Sequence, residues 1–256
     1  MPADNAGTAT SRVAIVTGAA SGIGRAIAGE LAGRNHPVAL LDRNGDAVRA
    51  AADELAGDGA RVIGLDADVA DRASVDAAVE KARAELGPIS IIVTSAGIQE
   101  SAPFGEITAE SWQRALDVNL TGTFNTIQAA LPDLLEAGWG RIVTISSSSA
   151  QSGAPDRAHY VASKGGVIAL TKALAFELSP KGITANTIPP SIIDTPMARA
   201  EEQPGQLIDL DVLATMTPVR RTGTPHDVAA AAAFLCTDDA GFITGQAIGV
   251  NGGWYL

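Results

Sequence analysis

From Arg12 to Val250, short apolar runs rich in β-branched residues alternate with longer segments of helical period. That alternation restricts the chain more than any other feature, because it is the pattern of βαβ units, in which each parallel strand is followed by a helical crossover. Strands are predicted over Arg12–Thr17, Pro37–Asp42, Arg61–Asp66, Ile89–Thr94, Gly140–Ser146, Gly182–Ile188 and Gln246–Val250. Helices are predicted over Gly22–Gly33, Gly45–Ala56, Ala73–Leu86, Ala109–Ala137 (as one helix or two), Ala158–Ser179 and Pro225–Leu235, with one or two short ones in the Pro-rich stretch Pro189–Thr224. The strands are apolar throughout rather than alternating, so both faces of the sheet should be covered by helices. No linker, repeat or low-complexity tract divides the chain. The expectation is one α/β domain over 12–256 behind a flexible segment 1–11, with a doubly wound parallel sheet of about seven strands.

Composition excludes several functions. A net charge of −11 argues against nucleic acid or an anionic membrane as partner, since both reward Lys/Arg surfaces. Cys236 is the sole cysteine, so no intrachain disulfide forms, and its apolar surroundings suit a buried small hydrophobe better than a nucleophile. His36, His159 and His226 are widely separated and no metal site is expected. The first residues lack a basic region followed by an apolar stretch, and no 18-residue apolar run occurs, so a cytoplasmic protein is expected.

Gly18, Gly22 and Gly24 sit between the first strand and first helix, with Ser21 and Ile23 among them. Glycine allows the tight turn and lets backbone approach a pyrophosphate, and the helix N-terminus adds N–H donors and a positive dipole. An acid, Asp42, ends the second strand, where its carboxylate can accept from the adenosine ribose hydroxyls and repel the 2′-phosphate of NADP. This Rossmann-type arrangement favours NAD as cofactor. The neighbouring Arg43 offers the opposite option, a guanidinium that clamps that phosphate. Ser21 supplies no second cation.

Tyr160 and Lys164 begin the long helix four residues apart, on one face and one turn from each other. A phenol near pKa 10 becomes a useful acid or base only when its phenolate is stabilised, and an adjacent ammonium does that. Ser147 ends the fifth strand thirteen residues earlier, at the sheet edge where open α/β folds bind ligands. Ser146, Ser148 and Ser149 flank it, so a polar loop is an equal reading of that run.

These motifs resemble the short-chain dehydrogenase/reductase family from Val13 to Gly253. The resemblance implies an oxidoreductase with an Asn119–Ser147–Tyr160–Lys164 tetrad that moves a hydride between nicotinamide and a small secondary alcohol or ketone. It casts Tyr160 as general acid/base, Ser147 as the group polarising the substrate oxygen, and Lys164 as holder of the nicotinamide ribose. Asn119 would hold a water; from sequence alone it fits a helix kink equally well. Asp68 and Val69 would face adenine, Ser95, Ala96 and Gly97 would line the cofactor, and Ile193 and Thr195 would hold the carboxamide. Two departures stand out: Thr94 and Ser95 replace the family's paired asparagines, and Ser191 replaces a glycine, which carries strain if that position needs positive φ.

Substrate specificity should reside in 189–218 and Gln99–Phe104. The apolar spacing of Leu207, Ile208, Leu210, Val212, Leu213 and Met216 suits either a lid or a packing or oligomer face. Trp112, Gln151 and His159 are additional pocket candidates. A homotetramer is implied by the resemblance, with Trp254–Leu256 as an apolar chain end at an interface. The alternatives are a reductase of 3-oxoacyl thioesters and a non-catalytic nucleotide sensor on the same fold.

Overall fold

The computed structural model describes residues 11–200 and 210–255, apart from the side chains at 58, 200, 210 and 211. Strands β1 (Val13–Thr17), β2 (Val38–Asp42), β3 (Val62–Asp66), β4 (Ile89–Thr94), β5 (Gly140–Ile145) and β6 (Ile183–Ile188) form one parallel sheet in the order β3-β2-β1-β4-β5-β6. The order reverses between β1 and β4, which opens a crevice at their carboxyl ends.

Helices cover both faces. On one side α1 (Gly22–Gly33), α2 (Gly45–Leu55) and α10 (Pro225–Leu235) pack Ile27, Leu31, Val48 and Val228 against Ala14, Val16, Leu40 and Val93. On the other, α3 (Arg72–Leu86), α5 (Gly122–Ala137) and α7 (Ala158–Leu178) pack Val79, Ile127, Leu134 and Leu178 against Ile15, Leu41, Ile92 and Ile142. Alternate residues of each strand thus feed opposite cores, which is why the strands carry no polar face. The remaining helices are α4 (Ala109–Leu116), α6 (Ser149–Ser152), α8 (Pro196–Ala200) and α9 (Leu210–Met216). A π-helical turn, Asp117–Thr121, joins α4 to α5, so the segment predicted as one helix or two is continuous but unevenly wound.

The sheet has six strands, not about seven. The expected last strand, Gln246–Val250, meets β6 and the residues after it only at isolated bridges, Thr187 with Ala247 and Pro190 with Val250. Thr187 N–H donates to the Gln246 carbonyl and Ile248 N–H to the Thr187 carbonyl, both at 2.9 Å, but the next donor in register is Pro189, which has no N–H, so the ladder is interrupted there. Among the described residues no helix is long and apolar enough to cross a membrane. Of the segments singled out from sequence, residues 1–10, Leu207, Ile208 and Leu256 lie outside the described residues.

Candidate active site

Two neighbouring clefts of about 500 and 570 Å³ open at the carboxyl edge of the sheet and share Gly18, Asp42 and Gly97. The β1–α1 turn forms their common wall. Gly18 has φ +65°, and a Cβ there would lie 2.7 Å from Ala96 Cα; one on Gly24 would lie 2.3 Å from the Gly18 carbonyl oxygen. No other residue fits at either point. Asn44, Asp71, Thr108 and Thr224 cap α2, α3, α4 and α10 with their side chains, whereas Ser21 gives α1 no side-chain cap. Ser21, Gly22 and Ile23 line the first cleft, so α1 presents an uncapped positive end to whatever lies there.

Asp42 is fixed at the end of β2. Its Oδ2 accepts from Ala20 N–H at 3.2 Å and its Oδ1 from Asn44 N–H at 3.0 Å. Arg43 is exposed, lines the second cleft only, and has no ion pair among the described residues. In that second cleft Asp68 Oδ1 accepts from Ala70 N–H at 2.9 Å, and the Val69 carbonyl is held by Asn125 at 3.0 Å.

The replaced asparagines find a partial substitute. Thr17 Oγ1 accepts both Ser95 N–H and Ala96 N–H at 3.1 Å, which pins the loop after β4 to the glycine turn. The Thr94 hydroxyl is buried without a hydrogen-bond partner. From sequence Thr17 is only the first residue of the glycine turn; a hydroxyl at a strand end beside the neighbouring strand's loop is the signal that could have shown its bracing role.

Lys164, Tyr160 and Ser147 line the first cleft together. Lys164 is buried, and its Nζ donates to the Ile145 carbonyl at 2.9 Å. Burial lowers its pKa from the ordinary lysine value to about 8, so the ammonium persists at neutral pH. Asn119 does not line the cleft. It lies in the π-helical turn, where its side chain pairs with both the N–H and C=O of Ile98 (2.8 and 3.0 Å) and donates to Ser163 Oγ at 2.9 Å. Asn119 therefore ties the loop after β4 to α7, and a Cβ on Gly97 would sit tightly against Asn119 Oδ1 at 3.1 Å and Lys164 Nζ at 3.2 Å.

The four serines separate by their bonds. Ser146 Oγ is engaged with Thr187 Oγ1 at 3.0 Å. Ser147 Oγ accepts from Ser149 N–H at 3.2 Å, which leaves its own proton to donate. Beyond β6, Ser191 does not adopt positive φ, so the strain that a glycine position would impose does not arise. Ile193 is buried against Gly223, and Thr195 caps α8 through Ala198 N–H at 3.2 Å; both line the first cleft. From the expected specificity regions, Gln99, Met197 and Leu213 line the cleft, while Phe104 is exposed. Trp112, Gln151 and His159 line neither cleft, and His159 is buried with both ring nitrogens unpartnered. Arg157 and Trp254 line the first cleft although sequence reasoning gave them no such place. Among the described residues no group of three or more His, Cys, Asp or Glu could hold a metal ion.

The sequence model of the family described as enoyl-(acyl carrier protein) reductase matches residues 18–255. The chain is 40% identical over 246 residues to the D-threitol dehydrogenase of Mycolicibacterium smegmatis, covering 96% of this chain and 93% of that one. It is 37% identical over 249 residues to the 2-dehydro-3-deoxy-L-rhamnonate dehydrogenase (NAD(+)) of a Sphingomonas species, covering 97% of each. Among solved structures, a single-substitution variant of the actinorhodin polyketide ketoreductase with NADPH superposes with a TM-score of 0.90 at 34% identity, over 95% of this chain and 97% of that one.

Proposed function

Because the chain belongs to the short-chain dehydrogenase/reductase family, we propose that it interconverts a small secondary alcohol and its ketone, prefers NAD to NADP, and uses Tyr160 as general acid/base. The observation that carries this reading is that Ser147, Tyr160 and Lys164 line one cleft with the Lys164 ammonium buried.

The cofactor fits the residues present. The Gly18–Gly24 turn, whose close approaches leave no room for side chains, would hold the pyrophosphate, and Asp42 the adenosine ribose. Asp68 and Val69 would face adenine, Ser95, Ala96 and Gly97 would line the cofactor's path, and Ile193 and Thr195 would hold the carboxamide. Tyr160 and Lys164 would take the second ribose. The nicotinamide bound there supplies a hydride in reduction and accepts one in oxidation.

The protein's share is orientation and proton transfer. A positive charge beside a phenol favours its phenolate, and that is the part this reading gives to Lys164, which follows Tyr160 by one turn of α7 and lines the same cleft. In oxidation Tyr160 takes the proton from the substrate hydroxyl; in reduction it returns one to the carbonyl oxygen. Ser147 donates its proton to that same oxygen, and Asn119 is a positioning residue that holds the loop carrying Gly97 against α7.

NAD preference is supported by Asp42, which lines both clefts, while Arg43 reaches only the second. A relative named for NAD(+) supports it further, although the solved ketoreductase carries NADPH. A homotetramer belongs to the same reading: Phe124, Phe176 and Phe242 leave apolar surface exposed for subunit contacts, and light scattering would test it.

The test is the absorbance of reduced nicotinamide with NAD⁺ and NADP⁺ across steroids, cyclic alcohols, polyols and 3-hydroxyacyl thioesters. Turnover that vanishes in Tyr160→Phe, with cofactor binding retained, is the expected result. Turnover surviving in that variant sinks the assigned acid/base. Preference for the thioesters would favour the reductase reading suggested by the acyl-carrier-protein description of the family.

A further inference from the structure

We propose that the substrate is a short-chain polyol, and that Ser148, Ser149 and Ser191, with Ser152 as an added acceptor, recognise the hydroxyls beside its reacting carbinol. This rests on the oxidoreductase reading above and names its substrate class.

From the loops after β5 and β6, Ser147, Ser148, Ser149, Ser152 and Ser191 all line the first cleft. Their hydroxyls differ in what they have left to offer. Ser147 Oγ accepts from Ser149 N–H and keeps its proton for the reacting oxygen. Ser152 directs its one proton at the carbonyls of Ser148 (3.2 Å) and Gly153 (3.0 Å), so toward a ligand it can only accept. The hydroxyls of Ser148, Ser149 and Ser191 make no hydrogen bond among the described residues, and each can both donate and accept. Ser148 is the informative one: it is only 5% exposed, yet it lines the cleft with a hydroxyl that no described group satisfies. Buried hydroxyls are ordinarily hydrogen-bonded, so one left open on a cleft wall marks a place for a ligand's polar group.

The backbone builds this wall. Ser146 N–H donates to the Ile188 carbonyl and Ser148 N–H to the Pro190 carbonyl, both at 2.9 Å, which carries the pairing of β5 with β6 past the strand ends. That pairing sets Ser148 beside the segment that carries Ser191. Ser149 and Ser152 are the first and last residues of α6, which follows directly. Serines from two loops thus meet on the cleft that holds Tyr160.

A substrate hydroxyl both donates and accepts, and so matches the open serines group for group. A carboxylate only accepts, and Ser152 would offer it a second acceptor. A steroid or a fatty chain would cover the serines with hydrocarbon and leave them desolvated and unpaired. Gln99 and Arg157 line the same cleft but already have partners of their own, so the open capacity described here lies with the serines. The cleft of about 500 Å³ must also take the nicotinamide end of the cofactor, which keeps the polyol short. Ile192, Leu213 and Trp254 supply apolar wall for its C–H edges.

The reaction balances as a two-electron oxidation. The carbinol O–H proton goes to Tyr160, and the C–H bond breaks with its electron pair leaving as hydride to the oxidised nicotinamide. A C=O bond forms at that carbon to give a ketose. The other hydroxyls are unchanged, and the serines only hold them.

The experiment measures kcat and KM for the complete sets of four- and five-carbon alditols, with butan-2-ol, pentan-2-ol and 3-hydroxybutanoate as comparators. Each is assayed with NAD⁺ and NADP⁺ on wild type, Ser148→Ala, Ser191→Ala and Tyr160→Phe. At least one alditol should exceed the mono-alcohol of the same chain length in kcat/KM by about a hundredfold or more, because a site built to bond hydroxyls penalises the analogue that lacks them. Ser148→Ala and Ser191→Ala should each cut that ratio by about fivefold to tenfold, the scale of one hydrogen bond, chiefly through the alditol KM. The ratio is taken within each variant, so a smaller folded fraction leaves it unmoved. A mono-alcohol or the hydroxy acid matching the best alditol, or a ratio that either serine variant leaves intact, overturns the proposal while the oxidoreductase reading stands. No turnover of any alditol also overturns it, and if wild type then matches Tyr160→Phe on every compound and binds no NADH, the wider reading falls too.

Discussion

Thr17 Oγ1 lies 3.1 Å from the backbone nitrogen of Ala96 and accepts its N–H, while taking the Ser95 N–H at the same distance. One buried hydroxyl thus serves two amides of a loop that carries no asparagine to brace it. Thr17→Val keeps the shape and strands both donors. At about 1 kcal/mol for each of these two part-buried donors left unpaired, the loss of about 2 kcal/mol should lower Tm by roughly 4–8 °C in a domain of this size. Thr17→Ser should retain most of the stability, and a melt of the three proteins decides the matter.

Asp42 sets the cofactor preference by charge. Asp42→Ala removes the repulsion toward a 2′-phosphate and leaves Arg43 as the nearest charged neighbour in sequence. The ratio of kcat/KM for NAD⁺ over NADP⁺ should fall by about tenfold or more. An unchanged ratio would pass the discrimination to Arg43, to be checked with the double variant.

Lys164 carries a pH signature in stability. Its pKa falls from the ordinary 10.5 to about 8 on folding because burial penalises the ammonium. The unfolded chain therefore binds more protons between those two values, and the slope of stability with pH is positive there. Below pH 8 the native state bears the full cost of the buried charge; between about 8 and 10.5 that cost is relieved. Lys164→Met should accordingly be more stable than wild type at pH 7, with the advantage shrinking as pH approaches 10.5. Chemical denaturation at pH 7, 9 and 10.5 reads this directly, and a pH-independent difference would contradict it.

Cys236 should be inert while the protein is folded. It is buried, and desolvation pushes its thiol up to about 12, so almost no thiolate exists at neutral pH. A maleimide or disulfide exchange reagent should label it only at the rate of unfolding. Rapid labelling of native protein would show that the α10 end opens on its own.

Most of the fold was legible because its strands are short, apolar and punctuated by glycine and proline, which fixes both their type and their spacing. The missing seventh strand was not, because local composition at Gln246–Val250 says nothing about its partner, and the proline that interrupts pairing, Pro189, lies more than fifty residues earlier. For the site, Gly18 and Asp42 could be placed by the strand–turn–helix pattern, whereas Tyr160 and Lys164 drew their roles from the family resemblance, and the structure brings all four to adjoining clefts. The particular serine could not be chosen locally, since only the contacts of Ser146 with Thr187 and of Ser147 with Ser149 distinguish them. Arg157 escaped notice because nothing in the sequence just before α7 signals that the residue there lines the first cleft. Asn119 looked like an ordinary polar helix residue or a kink, and it occupies a π-helical turn because its side chain bonds the Ile98 backbone and Ser163 instead of facing solvent.

The uncapped start of α1 has a consequence for the life of the protein. An anionic group settling against that start would supply partners for the N–H groups Ser21 leaves uncapped, and would then act as part of the fold. With ligand at a hundred times its Kd, native stability gains about 2.7 kcal/mol, and the unfolded fraction shrinks by about a hundredfold. Proteases act on that fraction. A ligand seated there would slow the loss of the protein by shrinking the fraction open to attack.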